Sequence, residues 1–354
     1  MSTDHVPAFG VPLPSSPRPA GRRVLDRLLA RPSAGALIGL VVVVVFFGLQ
    51  SPGLLGTEGL ATVLDVAAPL GIGGVAVALL LVAGQFDLTI GVVSVASSLV
   101  TALLVAHAGF GTWPALVLSL LVALAIGAVN GLLVVLTGLP SFLVTLATFL
   151  VLQGGSLGLA SHVTHSERIT GLPGAPGWDS AGTLFGSSTQ IGDGRFHVSL
   201  LWWAGATLLT SWLLWRTRFG NGVFAGGGAR RAARELGVPV ARTTVLLYLG
   251  TATAGWLIGS LSLLRTGGLH VAPRLDDQVT FVIVAVIGGC LLSGGYGSTV
   301  GASLGALLYG VAQVGIPRAD WDPRWFQVFL GLLLLVALLL NGVVRRRLQA
   351  VPRS

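Results

Sequence analysis

Lysine is absent from this chain of 354 residues, and all 21 of its basic residues are arginine. A phosphate-binding loop of the Walker A type needs a lysine on the β- and γ-phosphates of its nucleotide. The glycine-rich stretch 294–298 (GGYGS) therefore cannot be such a loop. Any hydrolysis of ATP would have to belong to another polypeptide.

Charged residues and cysteine are also scarce. Only 10% of the residues are charged, 53% are hydrophobic and the mean hydropathy is +0.86, whereas soluble proteins have about 25% charged residues. A soluble fold could not bury so much apolar surface, so the composition predicts an all-α integral membrane protein. The single cysteine, Cys290, excludes an internal disulfide and a cysteine-based metal site.

Ten stretches are apolar enough to be membrane-spanning helices. They lie near residues 36–50, 66–84, 88–106, 114–136, 140–160, 199–215, 243–264, 279–292, 298–315 and 325–343. The glycines and prolines inside these stretches favour closely packed helices, some of them broken or re-entrant. We therefore predict about ten membrane-spanning helices.

Arginine sets the expected orientation, because cytoplasmic loops of membrane proteins are enriched in basic residues. With a cytoplasmic N-terminus and ten crossings, 15 arginines fall inside and six outside. The outer set is Arg168, Arg195, Arg265, Arg274, Arg318 and Arg324. Both termini are thus predicted to be cytoplasmic. These arginines form short clusters between apolar spans, so we expect no binding of nucleic acid despite the net charge of +8.

The predicted domain organisation has a membrane domain, residues 35–344, between two cytoplasmic basic segments. The first is an arm rich in proline and serine, residues 1–34, and the second is a tail, residues 345–354. Within the membrane domain, residues 162–198 are predicted to form an outer loop and residues 216–242 an inner loop.

The inner loop contains a predicted short helix from Ala229 to Leu236. Gly237 is a favourable residue just beyond a helix C-terminus, and Pro239 prevents continuation. Such a helix on the cytoplasmic face could dock a partner, or it could be an ordinary surface helix that packs on its own bundle.

Four stretches carry a resemblance to a known family: residues 84–91 (GQFDLTIG), 129–131 with 139–148 (VNG and LPSFLVTLAT), 219–238, and 292–302 (LSGGYGSTVGA). In that order they are similar to GGIDLSVG, NG with PxFIVTLxT, FGR with EAARxSGI, and LSGGxGSxxGT of the ribose/xylose-type permeases of bacterial ABC importers. That family is distantly related to branched-chain amino-acid permeases. The likeness extends from about residue 60 to 343.

The resemblance implies a multi-pass permease subunit in a bacterial inner membrane, surrounded by lipid, that moves a monosaccharide or polyol-like solute by alternating access. The implied partners are separate ATPase subunits that use ATP and magnesium, a second permease subunit, identical or paralogous, and an extracytoplasmic solute-binding protein. This chain would then be no enzyme and would bind no cofactor or metal. The alternatives are a permease for a branched-chain amino acid or nucleoside, an ion-coupled secondary transporter, and an intramembrane hydrolase.

Under this resemblance, the ATPase would contact the predicted short helix and the glycine after it. The residues concerned are Arg230, Arg231, Ala232, Ala233, Arg234, Glu235, Leu236 and Gly237. Arg231 stands where the family has a glutamate. Ala232, Ala233 and Leu236 are expected to form a small apolar face.

Asp87 is the only acidic residue between Asp65 and Glu167, and a carboxylate at bilayer depth costs about 3 kcal/mol on insertion scales. It could cap the helix 88–106 together with Thr89, it could be a gate or pathway residue, or it could relay an ion or a proton. These three interpretations remain open at this point.

The other candidates for the solute pathway are Gln85, Asn130, Phe142, Thr145 and Thr148. Uncharged amide and hydroxyl groups suit the hydroxyls of a sugar, although hydrogen bonds between helices are their commoner use. A second group is expected to allow close helix packing and a tight turn: Gly294, Gly295, Gly297 and Gly301.

Overall fold

The computed structural model describes residues 33–272 and 275–349, apart from the side chains of residues 275–276 and 343–349. The predicted arm lies almost wholly outside these ranges, as does the end of the predicted tail. The helices of the described part are α1 (Ala34–Gln50), α2 (Thr57–Val82), α3 (Ile90–Ala106), α4 (Thr112–Thr137), α5 (Ser141–Thr164), α6 (Trp178–Phe185), α7 (Ser199–Arg216), α8 (Arg218–Gly228), α9 (Arg230–Glu235), α10 (Val240–Thr266), α11 (Leu275–Ile287), α12 (Thr299–Arg318) and α13 (Trp325–Gln349).

The strands of the described part are short. They are β1 (Arg168–Ile169), β2 (Ser188–Ile191), β3 (Gly194–His197) and β4 (Leu269–His270). Strands β2 and β3 form an antiparallel hairpin, and β1 pairs with β4 so that Arg168 lies opposite His270. The second pair ties the segment after α5 to the segment after α10.

Within the described residues, six helices are long and apolar enough to cross a membrane: α2, α4, α5, α10, α12 and the part Trp325–Gly342 of α13. Three shorter apolar helices are α1, α3 and the part Asp277–Ile287 of α11. Together with α7 they correspond to the ten predicted stretches. The prediction of a helical multi-pass membrane protein is confirmed, whereas ten full crossings and their orientation stay predictions.

Three helix boundaries differ by five residues or more from those predicted. Helix α2 begins at Thr57 and not near 66, because ion pairs with arginines of other helices accommodate its acidic residues, Glu58 at 3.1 Å from Arg318 and Asp65 at 2.5 Å from Arg265. The stretch predicted to end at 292 is helical only to Ile287. Helix α13 continues to Gln349, into the predicted tail.

Both predicted loops contain regular structure. The outer loop, 162–198, includes the end of α5, helix α6 and three strands, and the inner loop, 216–242, includes α8 and α9. Helix α8 was not predicted. Its first turn is capped by the hydroxyl of Thr217, which accepts a hydrogen bond from the amide of Gly220 at 3.2 Å.

Helix α2 is the centre of the bundle. Residues 71–83 are buried without interruption, and α2 packs against α7, α10, α11 and α12. Glycine permits close approach of these helices, since a Cβ at Gly73 would overlap the ring of Phe281. The outer helices α1, α4, α5 and α13 leave many large apolar side chains exposed, as expected where helices face lipid or another subunit.

Candidate functional site

Helices α2 and α3 are separated by a buried non-helical segment, residues 83–89. Gly84 has a φ of +70°, in the left-handed region that glycine allows. The interruption frees backbone groups, which need partners inside a membrane. The amide of Phe86 donates to the hydroxyl of Ser141 at 2.9 Å, and the hydroxyl of Tyr248 donates to the carbonyl of Phe86 at 2.8 Å. Helices α5 and α10 therefore hold the α2–α3 break in place.

Asp87 lies in this break with only 2% of its surface exposed. Its Oδ1 accepts hydrogen bonds from the amide of Thr89 at 2.7 Å and from the Thr89 hydroxyl at 2.5 Å, and its Oδ2 accepts one from the Thr251 hydroxyl at 2.5 Å. The amide nitrogen of Asn130 donates to the Thr89 hydroxyl at 3.2 Å, and Thr148 donates to Oδ1 of Asn130 at 2.7 Å. These five residues, called here the Asp87 network, join α10, the break, α4 and α5.

The first turn of α3 is capped from another helix. Oε1 of Gln278, on α11, accepts hydrogen bonds from the amides of Gly91 at 2.7 Å and Val92 at 3.2 Å. Among the backbone amides of the described part, Asp87 accepts a hydrogen bond only from that of Thr89, the N-cap residue. The capping interpretation thus applies to one amide, while Gln278 satisfies two amides of the helix itself.

The structure brings together only part of the predicted pathway set. Asp87, Asn130 and Thr148 belong to one network, whereas Thr145 is buried and donates to the carbonyl of Ser141 in its own helix at 2.9 Å. Phe142 is exposed on the outer surface of α5. Gln85 is buried in the break beside Asp87.

Several residues of the site were missed: Ser141, Tyr248, Thr251 and Gln278. Each is polar within an apolar span and is buried in the structure. That polarity was the one signal available in the sequence, because their partners are far away along the chain.

Three backbone segments meet next to the break. The amide of Gly295, in the turn between α11 and α12, donates to the carbonyl of Val82 at the end of α2 at 2.8 Å. A Cβ at Gly294 would lie 2.8 Å from Cα of Gly84 and 2.9 Å from the carbonyl oxygen of Gly227, near the end of α8. Side chains would prevent these approaches, so we call Gly84, Gly227, Gly294 and Gly295 the glycine junction.

The other two predicted packing glycines bring α11 and α12 together. A Cβ at Gly297 would lie 2.7 Å from the sulfur of Cys290, and one at Gly301 would overlap the carbonyl oxygen of Gly288. The turn after α11 is thereby held tightly against the start of α12.

Helix α9 leads into the glycine junction through α8. Ala233 is 5% exposed, whereas Ala232 is exposed and Leu236 is 84% exposed. The expected apolar face is therefore divided: Ala233 packs on its own bundle, and Ala232 and Leu236 point away from it. Burial also lowers the pKa of the half-buried Arg230 guanidinium.

The outward-facing part of α9 is charged as well as apolar. Arg231 and Glu235 lie one turn apart at 3.6 Å, and both side chains are largely exposed. The pair contributes little stability at such exposure. Arg231, Arg234 and the neighbouring Leu236 are exposed at the surface of the described part of the chain. Gly237 follows with a φ of +79° and ends the turn.

Two neighbouring cavities with polar residues in their lining lie near the C-terminal end of α10, beyond the Asp87 network. One, of about 430 Å³, is lined by hydroxyl-bearing residues of α3 and α10 and by the β1–β4 pair. The second, of about 190 Å³, is lined by Asp65, His197, Ser199 and Arg265 among others. Both touch Ser94 and Ser262.

The smaller cavity contains polar atoms without partners. Nδ1 of His197 and the hydroxyl of Ser199 are buried and make no hydrogen bond within the described part of the chain. Burial lowers the pKa of the His197 imidazole. Contact between α3 and α10 separates the two cavities from the Asp87 network. Gly255 and Gly259 of α10 pack directly on the carbonyls of Ile90 and Ser94 in α3.

A bundle of apolar helices, interrupted at a buried polar network and joined to a basic segment between two spans, is the arrangement expected of a membrane transport protein. The chain belongs to the family described as branched-chain amino acid transport system / permease component, which matches residues 59–338. This result confirms the resemblance drawn from the four motifs. No solved structure matches the chain.

Curated relatives match along most of their length. The fructose import permease of Rhizobium meliloti is 30% identical over 326 residues, covering 90% of this chain and 88% of the relative. The ribose import permease of Bacillus subtilis is 28% identical over 311 residues, covering 87% of this chain and 92% of the relative. The inner membrane ABC transporter permease YjfF of Escherichia coli is 28% identical over 310 residues, covering 86% of this chain and 90% of the relative. The chain is accordingly similar to sugar import permeases over nearly its whole length.

Proposed function

We propose that this chain is the membrane-spanning permease subunit of a bacterial ATP-driven importer for a monosaccharide or similar polyol. The relatives named for fructose and ribose support the solute class. The observation that carries the mechanism is the glycine junction, because it connects an inner segment suited to docking with a buried break inside the membrane.

The inner side of the mechanism begins at α9. Paired ATPase subunits bind Ala232 and Leu236, together with the exposed arginines around them. When they close on nucleotide they move α9 and the adjoining α8. Gly227 carries that movement to Gly84 and Gly294 by direct backbone contact, so little of it is absorbed by side-chain rearrangement.

The movement of Gly84 then displaces the α2–α3 break. Its position is fixed by Tyr248 and Ser141 and by the bonds of Asp87 to Thr89 and Thr251, so a displacement alters how α3 and α10 pack. Those two helices separate the outer polar cavities from the Asp87 network. In this scheme Asp87 positions the helices around the pathway, and the solute hydroxyls meet uncharged groups such as Asn130 and Thr148.

The outer side receives the solute from a solute-binding protein that docks on residues 162–198. The hydroxyl-rich lining of the outer cavities matches a polyol. A second copy or a paralogue of the permease completes the pathway, with its exposed apolar faces as the contact surface.

A branched-chain amino acid is the second candidate solute. The description of the family favours it, and the smaller cavity contains both a carboxylate and a guanidinium, from Asp65 and Arg265. Those two groups pair with each other in the structure, which leaves a polyol as the better fit.

The test is uptake into proteoliposomes that contain the permease, with the ATPase and binding protein encoded beside it. Labelled fructose, ribose, galactose and leucine are supplied with and without ATP inside. We expect ATP-dependent uptake of one of the sugars. Uptake of leucine alone would establish the second candidate, and uptake driven by an ion gradient without the ATPase would show a secondary transporter.

A further inference from the structure

An apolar groove of about 430 Å³ runs between α7 and α10, with α2 as its floor. On the floor Ile72 and Val75 are buried, whereas the rim residues Leu209 and Leu246 are 56% and 41% exposed. We call this feature the α7–α10 groove. Its lining is almost entirely aliphatic and aromatic, with Thr210 and Thr253 as the hydroxyl-bearing exceptions.

The length of the groove corresponds to one leaflet of a membrane. It is lined from Trp202 to Leu213 on α7 and from Leu246 to Leu257 on α10, which at 1.5 Å per residue is about 16 Å. The hydrocarbon core of a bilayer is about 30 Å thick, so one leaflet contributes about half of that.

An arginine stands one turn beyond the same end of each wall. On α7 the groove-lining positions 206, 209 and 213 continue at helical spacing to Arg216. On α10 the lining positions 254, 250 and 246 continue to Arg242. Both arginines are exposed, and among the side chains that the structure describes no ion pair involves either of them.

Aromatic residues mark the same end as lying at a membrane surface. Trp212 and Trp215 on α7 are 57% and 55% exposed, and tryptophan is enriched where a membrane meets water. Arginine pairs between transmembrane helices at that depth are suited to a phosphate headgroup.

We propose that the α7–α10 groove binds an anionic phospholipid, with one acyl chain in the groove and the phosphate held by Arg216 and Arg242. The bound lipid packs against α10, which carries Tyr248 and Thr251 of the site. It therefore stabilises the arrangement of α2, α7 and α10 around the break.

Two glycines allow the groove to be filled without a clash. Gly205 and Gly250 both line it, and a Cβ added to either meets nothing within 4 Å. Gly205→Leu and Gly250→Leu should therefore occupy the space of the acyl chain and leave the packing intact. Gly331→Leu on α13 is the matched control, since its Cβ is equally free and lies outside the groove.

The experiment measures the melting temperature of the full chain, delipidated in detergent, after addition of phosphatidylglycerol or phosphatidylcholine. We expect phosphatidylglycerol to raise the melting temperature of the wild type and of Gly331→Leu more than phosphatidylcholine does. Gly205→Leu and Gly250→Leu should lose the response. The double variant Arg216→Gln with Arg242→Gln should respond equally to the two lipids.

Two results would overturn the proposal. One is an undiminished response to phosphatidylglycerol in both groove-filling variants. The other is a groove-filling variant that responds to lipid as the wild type does but differs from it in the number of subunits measured by light scattering. That result would make the groove a contact between protein subunits. Neither measurement depends on transport, so the outcome is independent of the proposed solute.

Discussion

Thr251→Val removes one hydrogen bond from a buried carboxylate and leaves the shape of the side chain nearly unchanged. The Thr251 hydroxyl donates to Oδ2 of Asp87 at 2.5 Å, and both residues are almost completely buried. A hydrogen bond to a charged group contributes about 1.5–3 kcal/mol, and an acceptor left unsatisfied by burial loses that contribution in full. We expect a loss of stability of this size.

The matched control is Thr253→Val, two residues along the same helix. Thr253 is exposed, and its hydroxyl donates only to the carbonyl of Leu249 in its own helix. Its replacement should change the stability by less than about 0.5 kcal/mol, as is usual for surface substitutions. Any general effect of valine on α10 appears equally in both variants.

The assay is reversible unfolding of the purified full chain in mixed micelles, with membrane abundance measured in parallel. A double-mutant cycle with Asp87→Asn tests the pairing, since contacting residues give non-additive changes in stability. Equal stabilities of the Thr251→Val and Thr253→Val proteins, or additive effects in the cycle, would refute the account of the Asp87 network.

Four further outcomes are expected. Asp87→Asn should retain folding and much of the uptake, because the amide keeps an acceptor for Thr89; loss of uptake at normal abundance would instead favour a role for Asp87 in the pathway or in a relay. Gly227→Ala should abolish uptake, since its methyl group would overlap the backbone of α2, whereas Gly228→Ala meets nothing within 4 Å and should transport normally; equal uptake by the two would contradict a role for the junction. Leu236→Asp should release the ATPase in co-purification without reducing membrane abundance, and retention at wild-type stoichiometry would exclude α9 as its docking element. A cysteine at position 180 in a cysteine-free background should be labelled in intact cells, and labelling only after permeabilisation would reverse the predicted orientation.

The sequence was sufficient for the long apolar helices because length and apolarity are local properties. It also located the break, since a lone carboxylate such as Asp87 in an apolar region needs nearby partners. Helix α8 was missed because its glycine-rich end, residues 225–228, resembles a loop, and its stability comes from packing on α2 and α10. Propensity alone does not reveal such tertiary support.

The partners within the site could not be predicted from one sequence. Thr251 is 164 residues from Asp87 along the chain, and Gln278 is 187 residues from Gly91. Nothing in the local pattern assigns one polar residue in a span to another. The division of α9 into a buried Ala233 and an exposed Leu236 likewise depends on how the bundle lies above it, which the helical spacing does not specify.

The cap that Gln278 supplies to α3 limits how the protein can change shape. If α3 moved away from α11, the amides of Gly91 and Val92 would lose their acceptor, and each unsatisfied amide in the hydrocarbon region costs several kcal/mol. Helices α3 and α11 must therefore travel together as one rigid piece. In the proposed alternating access, the bending is then left to the segments at the ends of α3 and α11 nearest the glycine junction, 83–89 and 288–298, where left-handed glycines already replace helix.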